Sequence, residues 1–294
     1  MRSITIAFAF ALTAVAAFGQ TSAWQPIVDS KPTQRVNIAG FIDEKRGVTA
    51  GYAGATYYTE DSGGSWIKAS SASLCRYGLE IVDDGAAITC GQGGDNRVSL
   101  DGWRTWKAMR TYGPSEPDHF RFLSFPEVKT GWAAGPSQLS STQDSGATWS
   151  DIKPPRDADR IAAIDLLPGE RGDAGFLLDS SGALHLTEDG GATWSSEAIS
   201  VLGVQLSYTS TMTWGPSAAL RFKNREEGIL IAYRASPEPA WVALSTADGG
   251  ATWKVEELTN QLGPASSVYL SRDGRYATLY YSHRILAFKR AAGN

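Results

Sequence analysis

The sequence predicts an all-β fold, a single β-propeller of six four-stranded blades. Three observations predict it. An eight-residue turn pattern occurs five times, and the Trp that ends it recurs at intervals of 40, 43, 45 and 59 residues. Short apolar segments bounded by Gly, Asp and Pro fill these intervals, as expected for strands, and there is no convincing amphipathic helix. Such a repeat length is typical of propeller blades.

The repeated pattern is Ser/Thr-x-Asp-x-Gly-x-Ser/Thr-Trp, which we call the aspartate turn. Its five copies are Thr59–Trp66, Ser99–Trp106, Thr142–Trp149, Thr187–Trp194 and Thr246–Trp253. The Asp carboxylate can accept hydrogen bonds from backbone N–H groups, and Gly tolerates a positive φ. The hydroxyls join the ends of the turn, and the Trp opens the next strand and packs between neighbouring sheets. One copy departs from the pattern, because Trp103 stands where the Gly belongs.

A sixth blade without an aspartate turn is predicted after the fifth copy. Its predicted strands are Val268–Leu270, Tyr276–Tyr281 and Ile285–Lys289, and no fourth strand is predicted after them. The segment Trp24–Val28 resembles the strand that follows each aspartate turn. We therefore expect the N-terminal strand to complete the last blade, since closing the ring removes exposed sheet edges.

The aspartate turns resemble the Asp-box, or BNR repeat, of sialidases, sortilin-type receptors and photosystem II stability and assembly factors. The segment Thr130–Gly135, Thr-Gly-Trp-Ala-Ala-Gly, also fits the Gly-Trp-Ala-x-Gly strands of the last of these families. The resemblance implies that each turn joins the third and fourth strands of a blade and is architectural, so none of its Asp residues is expected to be catalytic. The predicted blade count differs from that of the photosynthetic members, so the resemblance does not imply a photosystem client.

The first 23 residues read as a secretory signal peptide that precedes a propeller domain over residues 24–294. Arg2 forms a short basic region, Ile4–Phe18 is apolar, and cleavage is possible after Ala23 or after Gly19. The alternative is an uncleaved N-terminal anchor. After cleavage we expect no membrane span and a secreted or periplasmic location.

Two cysteines, Cys75 and Cys90, flank the turn signal Asp83–Gly85. A hairpin there would set the two sulfur atoms opposite one another, which predicts a disulfide in an oxidising compartment. Two buried thiols are the alternative. No His lies at metal-ligand spacing from either cysteine, so no metal site and no cofactor are expected.

Arginines recur near the start of the first strand of five blades. They are Arg35, Arg76, Arg121, Arg160 and Arg221. First strands line the axis of a propeller, so these side chains are predicted to form a partial cationic ring at one mouth, where guanidinium groups could bind carboxylates or phosphates. Paired or solvated arginines are the alternative. The formal net charge of −4 argues against binding to nucleic acid or to an anionic membrane.

These observations favour a non-catalytic protein that binds a protein partner or an anionic ligand. A sialidase-type glycosidase is the alternative, and its resemblance implies three arginines with a Tyr–Glu pair. The Arg-Ile-Pro segment of those enzymes is absent, although Tyr77 and Glu80 lie near Arg76. A lectin-like glycan binder would use an exposed Trp such as Trp103 or Trp214. Residues 200–219 form the longest connection, either a functional loop or a packed insertion.

Overall fold

The computed structural model shows an all-β chain arranged as six blades, with no α-helix among the residues that it describes. Those residues are 23–31, 36–52, 55–70, 76–91, 95–109, 120–169, 173–199, 205–207, 217–259, 263–281 and 283–291. No helix in this part of the chain is long and apolar enough to span a membrane.

Each of the first five blades is an antiparallel meander in which successive strands pair. The first three comprise β2 (Val36–Phe41), β3 (Gly47–Gly51), β4 (Thr56–Thr59) and β5 (Ile67–Lys68); β6 (Arg76–Ile81), β7 (Ala87–Gly91), β8 (Arg97–Ser99) and β9 (Lys107–Ala108); and β10 (Phe122–Ser124), β11 (Gly131–Ala134), β12 (Leu139–Thr142) and β13 (Ser150–Ile152). The next two comprise β14 (Ile161–Leu166), β15 (Gly175–Asp179), β16 (Ala183–Thr187) and β17 (Ser195–Ala198); and β19 (Ala219–Phe222), β20 (Gly228–Ser236), β21 (Ala240–Thr246) and β22 (Lys254–Thr259).

The sixth blade closes the ring as the sequence predicts. It comprises β23 (Ser267–Leu270), β24 (Tyr276–Tyr281), β25 (Arg284–Arg290) and β1 (Trp24–Ser30), so its outer strand comes from the N-terminal end of the domain. The register pairs Trp24 with Arg290, and Arg284 forms a bidentate ion pair with Asp29, both contacts at 2.8 Å. The ring thus closes through the pairing of β1 with β25, which gives the last blade its fourth strand.

The fifth blade carries one additional short strand. β18 (Gln205–Ser207) pairs with the far half of β20, beyond the part of β20 that pairs with β19. This strand lies within the predicted long connection over residues 200–219. The insertion therefore contributes at least one strand to the blade, and Trp214 lies outside the described residues.

The six first strands surround the axis, and each contacts the first strand of the next blade. At their ends lie the turns to the second strands. Because alternate strands reverse direction, the aspartate turns, which join third to fourth strands, lie on this same side. We call it the turn face, and we call the side that holds the starts of the first strands the opposite face.

The five aspartate turns share one hydrogen-bonding scheme. In each, the Asp carboxylate accepts the backbone N–H of the residue four positions later at 2.8–2.9 Å and that residue's hydroxyl at 2.6 Å. It also accepts the hydroxyl two positions earlier, at 2.8–3.1 Å. The carboxylate therefore joins both ends of the turn, which explains the fixed spacing of the pattern.

The aspartate turns also hold each blade against its surroundings. The N–H after each Asp donates to a carbonyl in the turn between the first and second strands, at 2.7–3.0 Å. The Gly two residues after the Asp contacts the preceding blade: a Cβ on Gly191 would lie 2.1 Å from Ile152 Cγ2, and one on Gly146 would lie 2.4 Å from Met109 Cε. Glycine is thus required there by the close approach of two blades as well as by its positive φ.

Trp103 is buried, which overturns its interpretation as an exposed glycan-binding residue. It is 2% exposed and packs with Ala69 and Trp106 between the first two blades. Its φ of 68° is the left-handed conformation that Gly adopts in the other copies. This backbone strain costs roughly 1–2 kcal/mol, whereas burial of a large ring contributes about 3–5 kcal/mol. Packing therefore outweighs the strain.

The predicted hairpin around Asp83–Gly85 is present, since Asp83 accepts the N–H of Gly85 at 2.8 Å and β6 and β7 pair on either side. The register of β6 and β7 places Cys90 opposite Gly78, three residues after Cys75. The same pairing contains a bulge between Arg76 and Gly78. Cys75 lies outside the described residues, and the disulfide stays a prediction.

The aspartate turns predict an acid-sensitive fold. Hydrogen bonds from the Thr193 and Ser65 hydroxyls lower the pKa of Asp189 and Asp61 to about 2, and the pKa of the other three turn carboxyls is also lowered. Below the ordinary Asp pKa of 3.8, the unfolded chain therefore binds more protons than the folded protein does. The stabilisation of the fold by these turns is thus present above about pH 4 and is lost as the pH falls towards 2. We expect the melting temperature, followed by circular dichroism, to fall across this window.

The substitution Asp189→Asn should lower the melting temperature at pH 7 and reduce its dependence on pH between 4 and 2. Glu197→Gln, which changes an exposed carboxyl on β17, is the matched control and should resemble the wild type. An Asp189→Asn variant with an unchanged pH profile would show that these carboxylates do not stabilise the fold.

Candidate functional site

One residue from the first strand of each blade lies in a common layer across the axis. The register with the second strands defines the six members of this axial layer as Gly40, Glu80, Ser124, Asp165, Arg221 and Tyr269. Each directly precedes a large apolar residue that packs away from the axis. Alternation along a strand explains why the polar residue faces the axis while its apolar neighbour faces the space between blades.

Asp165 is the most connected member of the axial layer and is fully buried. Its carboxylate accepts hydrogen bonds from the Ser124 hydroxyl at 3.0 Å and from the backbone N–H of Phe222 at 2.6 Å. The Ser124 hydroxyl oxygen in turn accepts the N–H of Leu166 at 2.8 Å. The third, fourth and fifth blades are therefore hydrogen-bonded to one another at the axis.

Arg221 forms ion pairs with both buried carboxylates. One guanidinium nitrogen pairs with Glu80 through a short contact, and the other lies 3.3 Å from Asp165 Oδ1. Burial alone would lower the pKa of Arg221, but the charges of Glu80 and Asp165 outweigh that effect and raise it. Arg221 therefore stays protonated, and its charge is neutralised within the protein.

Arg272 covers the axial layer from the turn face. It lies in the turn after β23, and its side chain, 18% exposed, reaches inward to Asp165 Oδ1 at 2.6 Å and to the Leu166 carbonyl at 3.0 Å. Its Nε lies 3.9 Å from Glu80 Oε1. Burial raises the pKa of Glu80, and the Arg221 and Arg272 guanidinium groups act in the opposite direction. Two arginines thus face two carboxylates, so the cluster is electrically balanced.

Gly40 and Tyr269, the remaining two members of the axial layer with Ser124 and the charged residues, pack directly against one another. A Cβ on Gly40 would lie 2.7 Å from the Tyr269 ring, so the tyrosine occupies the space that a side chain from the first blade would need. Burial raises the pKa of the Tyr269 hydroxyl, which keeps it neutral. The aromatic ring therefore fills the axis on the side where the charged residues leave a gap.

A small cavity adjoins the axial layer on the side of the opposite face. Its volume is about 40 Å³, and Arg121, Phe122, Ala163, Arg221 and Tyr269 are among its lining residues. Ligand pockets usually enclose about 300–1,000 Å³, whereas a volume of this size suits one or a few water molecules. In the described part of the chain, the axis therefore offers no enclosed pocket for a sugar ring.

The predicted arginine ring is only partly assembled. Arg121 is half-buried at the axial cavity and Arg160 is exposed at the start of β14, both on the opposite face. Arg221 lies deeper, in the axial layer. Its position in the fifth blade is equivalent to that of Glu80 in the second blade, near the end of the first strand rather than at its start. Arg76 begins β6 and its side chain is outside the description, as is the whole of Arg35.

Arg121 and Arg160 belong to the described arginines that form no ion pair, as do Arg156, Arg275 and Arg290. Eight arginines form ion pairs: Arg46, Arg97, Arg104, Arg221, Arg225, Arg234, Arg272 and Arg284. Neither Arg121 nor Arg160 has a carboxylate partner among the described residues. Two guanidinium groups on the opposite face are therefore available for an external anion.

Sequence reasoning named Arg221 as an anion-binding candidate and noted Glu80 near Arg76, but it missed the cluster that these residues form with Asp165 and Arg272. The signal was present, since Glu80, Asp165 and Arg221 each place a charge within a first strand, directly before a large apolar residue. A charge in such a strand is expensive unless it is paired. The pairing itself joins residues up to 141 positions apart, which no local pattern indicates.

A wider groove of about 660 Å³ lies on the turn face between the fourth and fifth blades. Its charged lining is largely paired: Arg225 contacts Glu188 at 2.6 Å across the two blades, and Lys223 contacts Glu227 beside it at 3.1 Å.

No group of three or more His, Cys, Asp or Glu side chains in the described residues is arranged to hold a metal ion.

Comparison with known proteins shows the fold. No family model matches the sequence, and no curated protein matches it. Among solved structures, YCF48 bound to D1 peptide is 13% identical with a TM-score of 0.52, covering 93% of this chain and 97% of that one. An ancestral GH74 enzyme is 14% identical with a TM-score of 0.51, covering 90% of this chain but 36% of the enzyme. U3-55K is 9% identical with a TM-score of 0.58, covering 90% and 98%. These similarities support the propeller fold, and the six sheets of this chain define its class as a six-bladed β-propeller.

The axial cluster predicts a specific pattern of stabilities. Arg221→Met leaves Glu80 buried with only the more distant Arg272 nearby, so it should reduce the free energy of unfolding by about 3–5 kcal/mol. The double variant Arg221→Met with Glu80→Met removes the stranded charge and should recover much of that loss. Urea unfolding of the purified variants measures both.

The control is Arg104→Met, which breaks the exposed ion pair with Glu60 and should change the free energy of unfolding by no more than about 1 kcal/mol. If Arg221→Met were as mild as this control, or if the double variant were no more stable than the single one, the axial ion pairs would not be coupled as the geometry indicates.

Proposed function

We propose that this protein is an exported propeller that binds a protein partner through its opposite face, and that this face binds without catalysing a reaction. The observation that carries the proposal is the pair of guanidinium groups, Arg121 and Arg160, that lack a described carboxylate partner on that face. Because guanidinium groups bind carboxylates bidentately, the fitting partner presents acidic side chains or a terminal carboxylate. The predicted signal peptide over residues 1–23 supports export to a secreted or periplasmic location.

The limited depth of the axis supports surface recognition. The arginines and carboxylates of the axial layer neutralise one another, and the adjoining cavity holds only about 40 Å³. A ligand would therefore contact the rim and the loops of the opposite face rather than enter the ring. YCF48, which has a similar fold, was solved bound to a peptide, so a propeller of this kind can recognise polypeptide.

A glycosidase of the sialidase type is the alternative, and the geometry gives it less support. Glu80 and Asp165, the carboxylates at the axis, are fully buried and paired with arginines. A general acid or nucleophile must reach the substrate. Neither residue can do so without dismantling the cluster.

An affinity pull-down from the exported fraction tests the proposal. The bait proteins are the wild type, the double variant Arg121→Ala with Arg160→Ala, and the control Lys129→Ala, which removes an exposed cation from the turn face. We expect a specific protein to be retained by the wild type and the control. The double variant should bind it at least about tenfold more weakly, since hydrogen bonds to charged groups contribute roughly 1.5–3 kcal/mol each.

Melting curves first confirm that all three baits are folded. Retention of the partner by the double variant but not by Lys129→Ala would move the binding surface to the turn face and contradict the proposal. Capture of a glycan, or release of sugar from sialidase substrates by the wild type, would favour the alternative.

A further inference from the structure

Three residues of the fourth blade form a hydrogen-bonded Ser–His–Asp series outside the axial layer, and its carboxylate lies near Arg160, since Asp179 pairs with Ile161. His185 Nδ1 lies 2.6 Å from Ser196 Oγ, and His185 Nε2 lies 3.3 Å from Asp179 Oδ2. His185 and Ser196 are directly opposite one another on β16 and β17. The order of contacts, hydroxyl to imidazole to carboxylate, is that of an activated serine.

The tautomer of His185 follows from its partners. Asp179 can only accept a hydrogen bond when ionised, so the proton of the neutral imidazole lies on Nε2 and points at the carboxylate. Nδ1 is then unprotonated and accepts the hydrogen bond from the Ser196 hydroxyl. His185 is therefore oriented as a general base for Ser196.

Asp179 is held firmly in its position and its charge state. Its carboxylate accepts hydrogen bonds from the Ser181 hydroxyl at 2.6 Å, from the N–H groups of Ser181 and Ala183 at 2.9 and 3.0 Å, and from the Asp159 N–H at 3.0 Å. These bonds outweigh the effect of burial and lower the pKa of Asp179. Asp179 acts through His185 and is a positioning residue.

Ser196 is accessible, although His185 and Asp179 are each only 1% exposed. All four residues of β17 are exposed, and β17 is the last strand of its sheet, so one of its edges has no partner strand in that blade. On such an edge, alternate backbone N–H groups point outward. Backbone N–H groups are the donors that stabilise an oxyanion in acyl transfer. A buried base thus contacts a serine on an exposed edge strand, and the outward N–H groups of that strand are candidate oxyanion donors.

We propose that Ser196 is a nucleophilic serine that accepts acyl or phosphonyl groups, with His185 as its base. In the acyl reaction, Ser196 Oγ forms a bond to the carbonyl carbon of an ester while its proton passes to His185 Nδ1. The ester C–O bond then breaks and the leaving alcohol takes the proton from His185. Water hydrolyses the acyl-serine by the same route in reverse, so the substrate class is an exposed ester.

A fluorophosphonate probe tests this on the full-length folded protein. In its reaction the Ser196 Oγ–P bond forms, the P–F bond breaks, fluoride leaves and the proton passes to His185. Intact mass and peptide mapping should find one adduct per chain, on Ser196. General base catalysis typically contributes about 10²–10⁴-fold, so Ser196 should react at least about a hundredfold faster than a solvated serine.

Ser195 is the matched control, since it is an exposed neighbour on the same strand whose hydroxyl contacts the Leu186 carbonyl instead of an imidazole. Ser196→Ala should abolish labelling and Ser195→Ala should leave it unchanged. His185→Gln should reduce labelling to the level of Ser195. Asp179→Asn should shift the pH profile of the labelling rate, which a purely structural contact would not do.

If His185→Gln fails to fold, the pH profile of the wild type decides. The proposal requires a labelling rate that rises with pH through one ionisation and then levels off. A rate that grows steadily with hydroxide, or labelling of Ser196 no faster than that of Ser195, would overturn it.

Discussion

Asp165 is the residue through which four of the six blades are connected at the axis. Its carboxylate accepts hydrogen bonds from Ser124 in the third blade, from the Phe222 N–H in the fifth and from Arg272 in the sixth. The ion pair of Arg221 with Glu80 extends the same network to the second blade. Since a buried charge is tolerated only when it is paired, each member of this network requires the others in place. The arrangement of the inner strands depends on it.

The charge balance of the axial layer determines where function can lie. Arg221 and Arg272 are both engaged by the Glu80 and Asp165 carboxylates, so their guanidinium groups are not available to attract a ligand to the centre of the ring. Recognition is consequently left to groups outside the layer, among them the guanidinium groups of Arg121 and Arg160. The activated serine proposed on the fourth blade lies outside it as well. The axis acts as a rigid support, and the faces and outer strands are where ligand chemistry can occur.

The sequence predicts the fold well because the repeat is local. Each aspartate turn satisfies its own hydrogen bonds within eight residues, so the spacing of Asp, Gly and Trp is readable from the chain. The closing strand is predicted for the same reason, since Trp24–Val28 resembles its counterparts. The site is predicted poorly because it depends on register. Arg221 lies a few residues further along its strand than Arg160 does, and that difference moves it from the mouth into the axial layer.

Native-state hydrogen exchange tests the structural importance of the axial layer most directly. The Leu166 N–H donates to Ser124 Oγ and the Phe222 N–H to Asp165 Oδ2, both at the centre of the ring. If the axial layer holds the blades together, these amides exchange only when the whole protein unfolds, with a free energy equal to that of global unfolding. Exchange at these two amides as fast as at the exposed outer strand β17, through local opening, would contradict that role.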